Sequence, residues 1–241
     1  MERKNPIIFS LFIILGLGLI ILLPVNVLTE NLRSYGEIEK KISFSCNPIN
    51  ISKLGGLKIE SCLGDVDIEY EYPPLEYAIK VDISVNMAGK GLASKSYLDF
   101  FNISLDYEET YLGVLITLKS EFSLNDIKSL IRDFKILIKI NAEAFLNISA
   151  KVEYGNINFN APYAVELKGL DFNITEGNLS YNFTECFIDG IINAYSNLGE
   201  LIFTAVDLQY SQDAYLKLVI VLDFCCICQF HRQIYISRSI K

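Results

Sequence analysis

Apolar and polar residues alternate with a period of two through most of this chain beyond residue 56, which is the pattern of strands with one face in a core and the other in water. In "GLKIESCLGDVDIEYEY" (56–72), Val66, Ile68, Tyr70 and Tyr72 lie opposite Asp65, Asp67, Glu69 and Glu71. This predicts a half-buried strand with an acidic outer face. Further strands are predicted over 77–87, 100–109, 111–122 and 135–145, with 88–98 as a connection or a short helix. One stretch departs from the period. In "SLNDIKSLIRDF" (123–134), Leu124, Ile127, Leu130, Ile131 and Phe134 recur at helical spacing, and Ser123 stands where a helix cap would. "AYLKLVIVLDF" (214–224) reads as the last strand.

A longer period is laid over the short one. "VEYGNINF" (152–159) returns 22 residues later as "ITEGNLSY" (174–181) and after another 22 as "SNLGELIF" (196–203). "AVELKGLDF" (164–172) and "CFIDGIINAY" (186–195) match at the same offset. In each unit a strand runs to a glycine, the chain turns, and two apolar positions follow: Ile157 and Phe159, Leu179 and Tyr181, Leu201 and Phe203. Gly155, Gly177 and Gly199 therefore mark corners that need positive φ or close backbone approach, and Gly64 has the same place in the acidic segment. A strand repeat of this length is expected of an all-β solenoid or β-roll with coils of about 22 residues, each burying its apolar edge against its neighbours. An antiparallel meander with a two-strand repeat is the competing arrangement, also all-β.

The segments "LGDVDIEY" (63–70), "YGNINFN" (154–160), "EGNLSYN" (176–182) and "LGELIFT" (198–204) share a glycine, a polar residue and then apolar residues two apart. In this the chain resembles the putative-adhesin domains of unknown function found in bacterial and archaeal envelope proteins, whose short strands carry a recurrent Gly-Asp/Asn-apolar-x-apolar signature. The resemblance spans about 56–222. It implies β-solenoid-like sheets and a role in adhesion, and it brings no catalytic residues. The helical insert and the cysteine-containing tail depart from the family pattern.

Outside the β pattern, 7–23 ("IIFSLFIILGLGLIILL") is a run without charge, extended by Pro6, Pro24, Val25 and Val27 toward the roughly 20 residues that cross a bilayer. A charged start and an apolar run fit a cleaved signal or an uncleaved anchor; the length and the lack of a small-x-small site favour the anchor. The expected organisation is a membrane segment over 1–27, a polar linker over 28–41, the β domain over 42–224 and a basic tail over 225–241. Asn-x-Ser/Thr sequons occur at Asn50, Asn102, Asn147, Asn173, Asn178 and Asn182. They point to a domain outside the membrane, in a single-pass protein held in the bilayer through residues 7–23.

The net charge of −8 leaves no basic stripe to exchange for counterions, so nucleic acid is not an expected partner. A single histidine and no tryptophan leave little material for histidine catalysis, and no phosphate loop, nucleophile elbow or metalloprotease helix occurs. No cofactor is expected. Asp65, Asp67, Glu69 and Glu71 are the weak candidate for a cation site. Alternate side chains on a strand stand about 7 Å apart, so one ion reaches two of them at most, and a solvated acidic face is the simpler reading. Among six cysteines, Cys46 and Cys62 are the candidate disulfide in an oxidising exterior, two buried thiols being the alternative. Cys225, Cys226 and Cys228, with His231, have the residue types of a zinc site without its spacing. Buried thiols, disulfides or lipidated cysteines fit better, and a second span over 218–230 is too short and carries Asp223. Asp171 and Glu176 could form the carboxylate pair of a glycan-cleaving enzyme.

The reading that follows is a membrane-anchored, non-catalytic surface protein for adhesion, recognition or envelope structure. It meets an unknown surface ligand or envelope protein, and a homo-oligomer is compatible with it. The alternatives are an accessory or sensor subunit of a membrane complex and, more remotely, a glycan-active enzyme.

Overall fold

Alternation supplies the strands, and the glycine corners send consecutive strands into different sheets. The computed structural model describes residues 35–47, 54–72, 76–108, 110–162, 164–222 and 226–230. The apolar segment 7–23, the sequon at Asn50, Cys225 and His231 lie outside the described residues. Among the described residues no helix is long and apolar enough to cross a membrane.

An eight-stranded sheet has the spatial order β1 (Tyr35–Cys46), β4 (Ile79–Lys90), β7 (Ile131–Asn141), β3 (Asp65–Glu71), β9 (Ile157–Pro162), β12 (Leu179–Thr184), β15 (Leu201–Val206) and β18 (Cys226–Phe230). A seven-stranded sheet runs β17 (Tyr215–Leu222), β14 (Ile191–Leu198), β11 (Gly169–Glu176), β8 (Asn147–Tyr154), β2 (Gly56–Ser61), β6 (Tyr111–Leu118) and β5 (Phe101–Glu108). A third, of three short strands, is β10 (Glu166–Leu167), β13 (Phe187–Ile188) and β16 (Gln209–Tyr210).

The 22-residue period is the pairing register. Leu170 lies opposite Ile148 and Ile192 opposite Leu170 in the seven-stranded sheet; Leu179 lies opposite Ile157 and Leu201 opposite Leu179 in the eight-stranded one. All these pairs are parallel, so the repeat is not an antiparallel meander. Each layer is one strand, a corner and a second strand. The regular layers occupy 147–222. Ahead of them the sheets are mixed, because β1, β4 and β7 pair antiparallel, as do β5 and β6.

The layers are not stacked in chain order. β2 and β3 form one layer; the chain then leaves through β4 and β5, builds β6 and β7 on its outer side, and crosses back to β8 on its inner side. Where the β2–β3, β8–β9, β11–β12 and β14–β15 layers turn at a glycine, the β6–β7 corner holds the helix α1 (Leu124–Lys128). Ser123 caps it, its hydroxyl accepting from the Asp126 N–H at 3.3 Å. The helix is shorter than its apolar spacing predicts: Ile131 and Phe134 belong to β7, where Phe134, Ile136, Ile138 and Ile140 alternate into the core. Other boundaries also shift. β1 starts at Tyr35, inside the expected linker, segment 56–72 bends at Cys62–Gly64 into two strands, and β18 follows the strand expected to be last.

Between the large sheets the core is aromatic at its centre. Phe159 lies 6.1 Å from Tyr70, 5.7 Å from Phe172, 6.2 Å from Tyr181 and 5.5 Å from Phe183, centroid to centroid. Tyr181 stacks on Phe172 at 5.2 Å and 8°. The two buried phenols keep partners, the Tyr181 hydroxyl donating to the Asn193 carbonyl at 3.2 Å and that of Tyr70 to Ala144 at 3.4 Å.

This core makes stability sensitive to alkali. Burial pushes the Cys62 thiol up to about 11, aided by the nearby Glu153 carboxylate. It also raises Cys46, Cys186, Tyr70 and Tyr181. These groups stay protonated when folded and ionise sooner when unfolded, so the unfolded chain holds fewer protons and stability falls as pH rises. The melting temperature is expected to hold between about pH 7 and 8, where the unfolded thiols stay mostly protonated, and to fall from there as the pH rises to the Cys62 value of about 11. Thermal melts across that range check this, and a flat profile up to pH 11 would contradict it.

Candidate functional site

The acidic strand is engaged on its outer face. β3 lies between β7 and β9, so its carboxylates meet lysines on one side and amides on the other. Lys135 reaches Asp67 at 2.5 Å, and Lys139 pairs with Glu71. Asp67 also accepts from the Asn158 amide at 2.7 Å. Asp65 accepts from the Asn156 side chain at 2.8 Å and from its backbone N–H at 2.9 Å. Glu69 shares this face. No three His, Cys, Asp or Glu side chains gather closely enough to hold a metal ion among the described residues.

Asp65 begins a ladder along the glycine corner. Asn156 Oδ1 accepts from the Asn178 N–H at 2.9 Å, and Asn178 Oδ1 from the Glu200 N–H at 2.9 Å. A second row joins Asn158 to Ser180 at 2.8 Å and a third joins Asn160 to Asn182 at 3.1 Å. The polar side chains of this face hold one layer to the next. Asn178→Ala removes a rung at an exposed position and is expected to lower stability by about 1 kcal/mol. Urea unfolding measures it, and an unchanged midpoint would show that water replaces the amide without loss.

The other candidates separate. Cys46 and Cys62 are free thiols, and the expected disulfide is not formed. Cys46 ends β1, level with Ile79, Ile140 and Tyr70, while Cys62 precedes β3 at its other end. Three strand positions alone put them about 14 Å apart, against the roughly 7 Å that a disulfide spans at most. Asp171 and Glu176 lie on one strand, five residues apart, or about 16 Å at strand rise. The carboxylate pairs of glycosidases stand about 5 to 9.5 Å apart, so these two do not form one. Glu176 instead lies 3.8 Å from Lys128, whose ammonium sits 3.0 Å over the Tyr154 ring. Asn102, Asn147, Asn173, Asn178 and Asn182 are all exposed. Cys226 and Cys228 fall in β18, which pairs in parallel with Leu201 to Ala205 of β15.

One feature of the outer surface is absent from the motifs. A groove of about 800 Å³ crosses the seven-stranded sheet at right angles to its strands. Its floor is the row Gly56, Asn147, Gly169 and Ile191, one residue from each of β2, β8, β11 and β14. The neighbouring row supplies Lys58, Ser149, Asp171 and Asn193. Tyr111 closes one end. Its ring lies over two glycines: a Cβ on Gly113 would stand 3.2 Å from Tyr111 Cε1, and one on Gly56 would stand 3.5 Å from Tyr111 Cδ2. A smaller recess of about 190 Å³ continues on its far side, bordered by Ser104 and Asp106. The Tyr111 ring is thus half-buried, with glycine beneath it and open groove beside it. Only the spacing of Tyr111 to Gly113 on one strand hinted at this; the place of Gly56 beside them depends on the crossing of β6 to the outside of β2.

No protein-family model matches the chain, and no curated protein matches it. Similar solved structures are a putative cell adhesion protein from Clostridium sporogenes, 11% identical over 76% of this chain and 97% of that one with a TM-score of 0.43, and a putative adhesin from Parabacteroides distasonis, 12% identical over 76% of each with a TM-score of 0.35. A putative adhesin from Parabacteroides merdae is 14% identical over 75% of this chain and 77% of that one, with a TM-score of 0.30. The adhesin description belongs to those proteins.

Proposed function

We propose that the chain is a membrane-anchored surface protein whose β domain serves adhesion, recognition or envelope architecture without catalysis. The observation that carries this reading is the use of the polar side chains. The ladder Asp65–Asn156–Asn178–Glu200 and the ion pairs of Asp67 and Glu71 tie layers together, while a polar groove lies open across the other sheet. That combination suits a rigid display surface. On this reading the layers over 147–222 are coils of a short β-solenoid, residues 7–23 hold it in the bilayer, and the exposed sequon asparagines face away from the cell interior.

Exchanging residues 1–34 for an unrelated membrane anchor tests the role. A recognition domain keeps its attachment to a surface under the new anchor. An accessory subunit, which needs its own anchor to meet a membrane partner, loses its effect, and that loss would sink the proposal. The exchange point keeps β1 whole from Tyr35 onward.

A further inference from the structure

We propose that the groove across the seven-stranded sheet binds a linear, uncharged polysaccharide, with Tyr111 as the platform on which one sugar ring stacks. The proposal deepens the recognition reading and rests on it.

Three observations point to that ligand. The first is the aromatic plate at the groove's end. Glycines at 56 and 113 let the Tyr111 ring lie down on the sheet, and a tyrosine with one wet face offers an apolar plate edged by a hydroxyl. A pyranose has a matching face of C–H bonds with hydroxyls at its rim. The second is the spacing. Because the groove runs across the strands, it presents one polar side chain per strand, Lys58, Ser149, Asp171 and Asn193, at intervals of about 4.8 Å. A chain of six-membered rings linked through opposite carbons advances by a similar interval per ring, and each ring carries hydroxyls on both edges, so every ring offers one to the sheet even where successive rings turn over. An extended peptide shows the same side only every second residue, about 6.8 Å, and falls out of step. The third is charge. The groove holds Lys58, Lys168, Asp171 and Asp189, and Lys58 is paired with Glu60 at 2.7 Å, so charge of one sign does not line it and neither a polyanion nor a polycation is favoured. The hydroxyl of Ser149 and the amides of Asn147 and Asn193 donate and accept, which suits sugar hydroxyls.

The test uses the full chain in a detergent without a sugar headgroup. Affinity electrophoresis is run in gels containing neutral α- and β-linked glucans, mannans and galactans, with polygalacturonate and gelatin as the anionic and polypeptide probes. At least one neutral polysaccharide is expected to retard the protein. Tyr111→Ala is expected to weaken that binding about tenfold, the scale of one lost aromatic contact, and Tyr111→Phe to keep it. The ring is half-buried on the outer face, so circular dichroism should show both variants folded. Equal retardation of wild type and Tyr111→Ala would overturn the proposal. So would retardation by gelatin or polygalacturonate alone, or a glycan on Asn147, which would place the chain's own sugar in the groove. If the protein still attaches to a surface while no neutral polysaccharide binds, the groove assignment falls and the recognition reading stands. If it attaches to nothing, both fall.

Discussion

Gly177→Ala is expected to leave no stable folded domain. Gly177 has φ of +138°, and a Cβ there would stand 1.5 Å from the Gly155 carbonyl oxygen, the backbone of the layer below. No rotamer relieves this, because both parties are main chain. The neighbouring corners share the geometry, since a Cβ on Gly199 would stand 2.0 Å from the Gly177 oxygen. To admit the methyl group the layers must separate, breaking the bond from the Gly155 N–H to the Glu176 carbonyl at 3.1 Å and opening the aromatic core behind it. The loss should exceed about 4 kcal/mol, the range of exceptional single substitutions and much of a domain's whole stability. Gly91→Ala is the control. Gly91 also has positive φ, +81°, but nothing lies within 4 Å of its Cβ position, so only the backbone cost of about 1 to 2 kcal/mol applies. Soluble yield and urea unfolding separate the two cases, and a Gly177→Ala protein that melts near wild type would refute the stacked corner.

Phe159→Ala is expected to cost about 3 to 5 kcal/mol. Phe159 is 1% exposed and touches four aromatic rings drawn from the two layers that flank its own and from both large sheets. Its removal leaves a cavity that rings on β strands cannot close by changing rotamer. Tyr72→Ala, at a position 72% exposed, should change stability by less than about 0.5 kcal/mol. Urea midpoints measure both. A loss below about 1 kcal/mol for Phe159→Ala would mean that the layers hold together without their shared centre.

What could be read from the chain follows from what is local. The corners at Gly155, Gly177 and Gly199 were legible because the repeat places the same demand at a fixed interval, and the parallel register is that interval. The helix was overextended because Leu130, Ile131 and Phe134 satisfy a helical spacing, while Phe134, Ile136, Ile138 and Ile140 satisfy a strand. Pairing with β3 and β4 decided for the strand, and that pairing is not local. The acidic face of β3 was legible as a face, but the partners of Asp67 and Glu71, Lys135 and Lys139, arrive from 68 residues away. The groove was hidden for the same reason. Gly56 and Tyr111 become neighbours only when the β6–β7 layer is placed outside β2–β3, an order that no periodicity encodes.

Surface display carries the functional account, and its most direct test is made on native membranes. Mass spectrometry would map glycans at Asn102, Asn173, Asn178 and Asn182, the exposed sequon asparagines outside the groove, alongside protease accessibility on intact cells. Occupied asparagines with external cleavage are the predicted result. Bare asparagines together with full protection would place the domain inside the cell, and recognition at the surface would have to be abandoned for an internal scaffold.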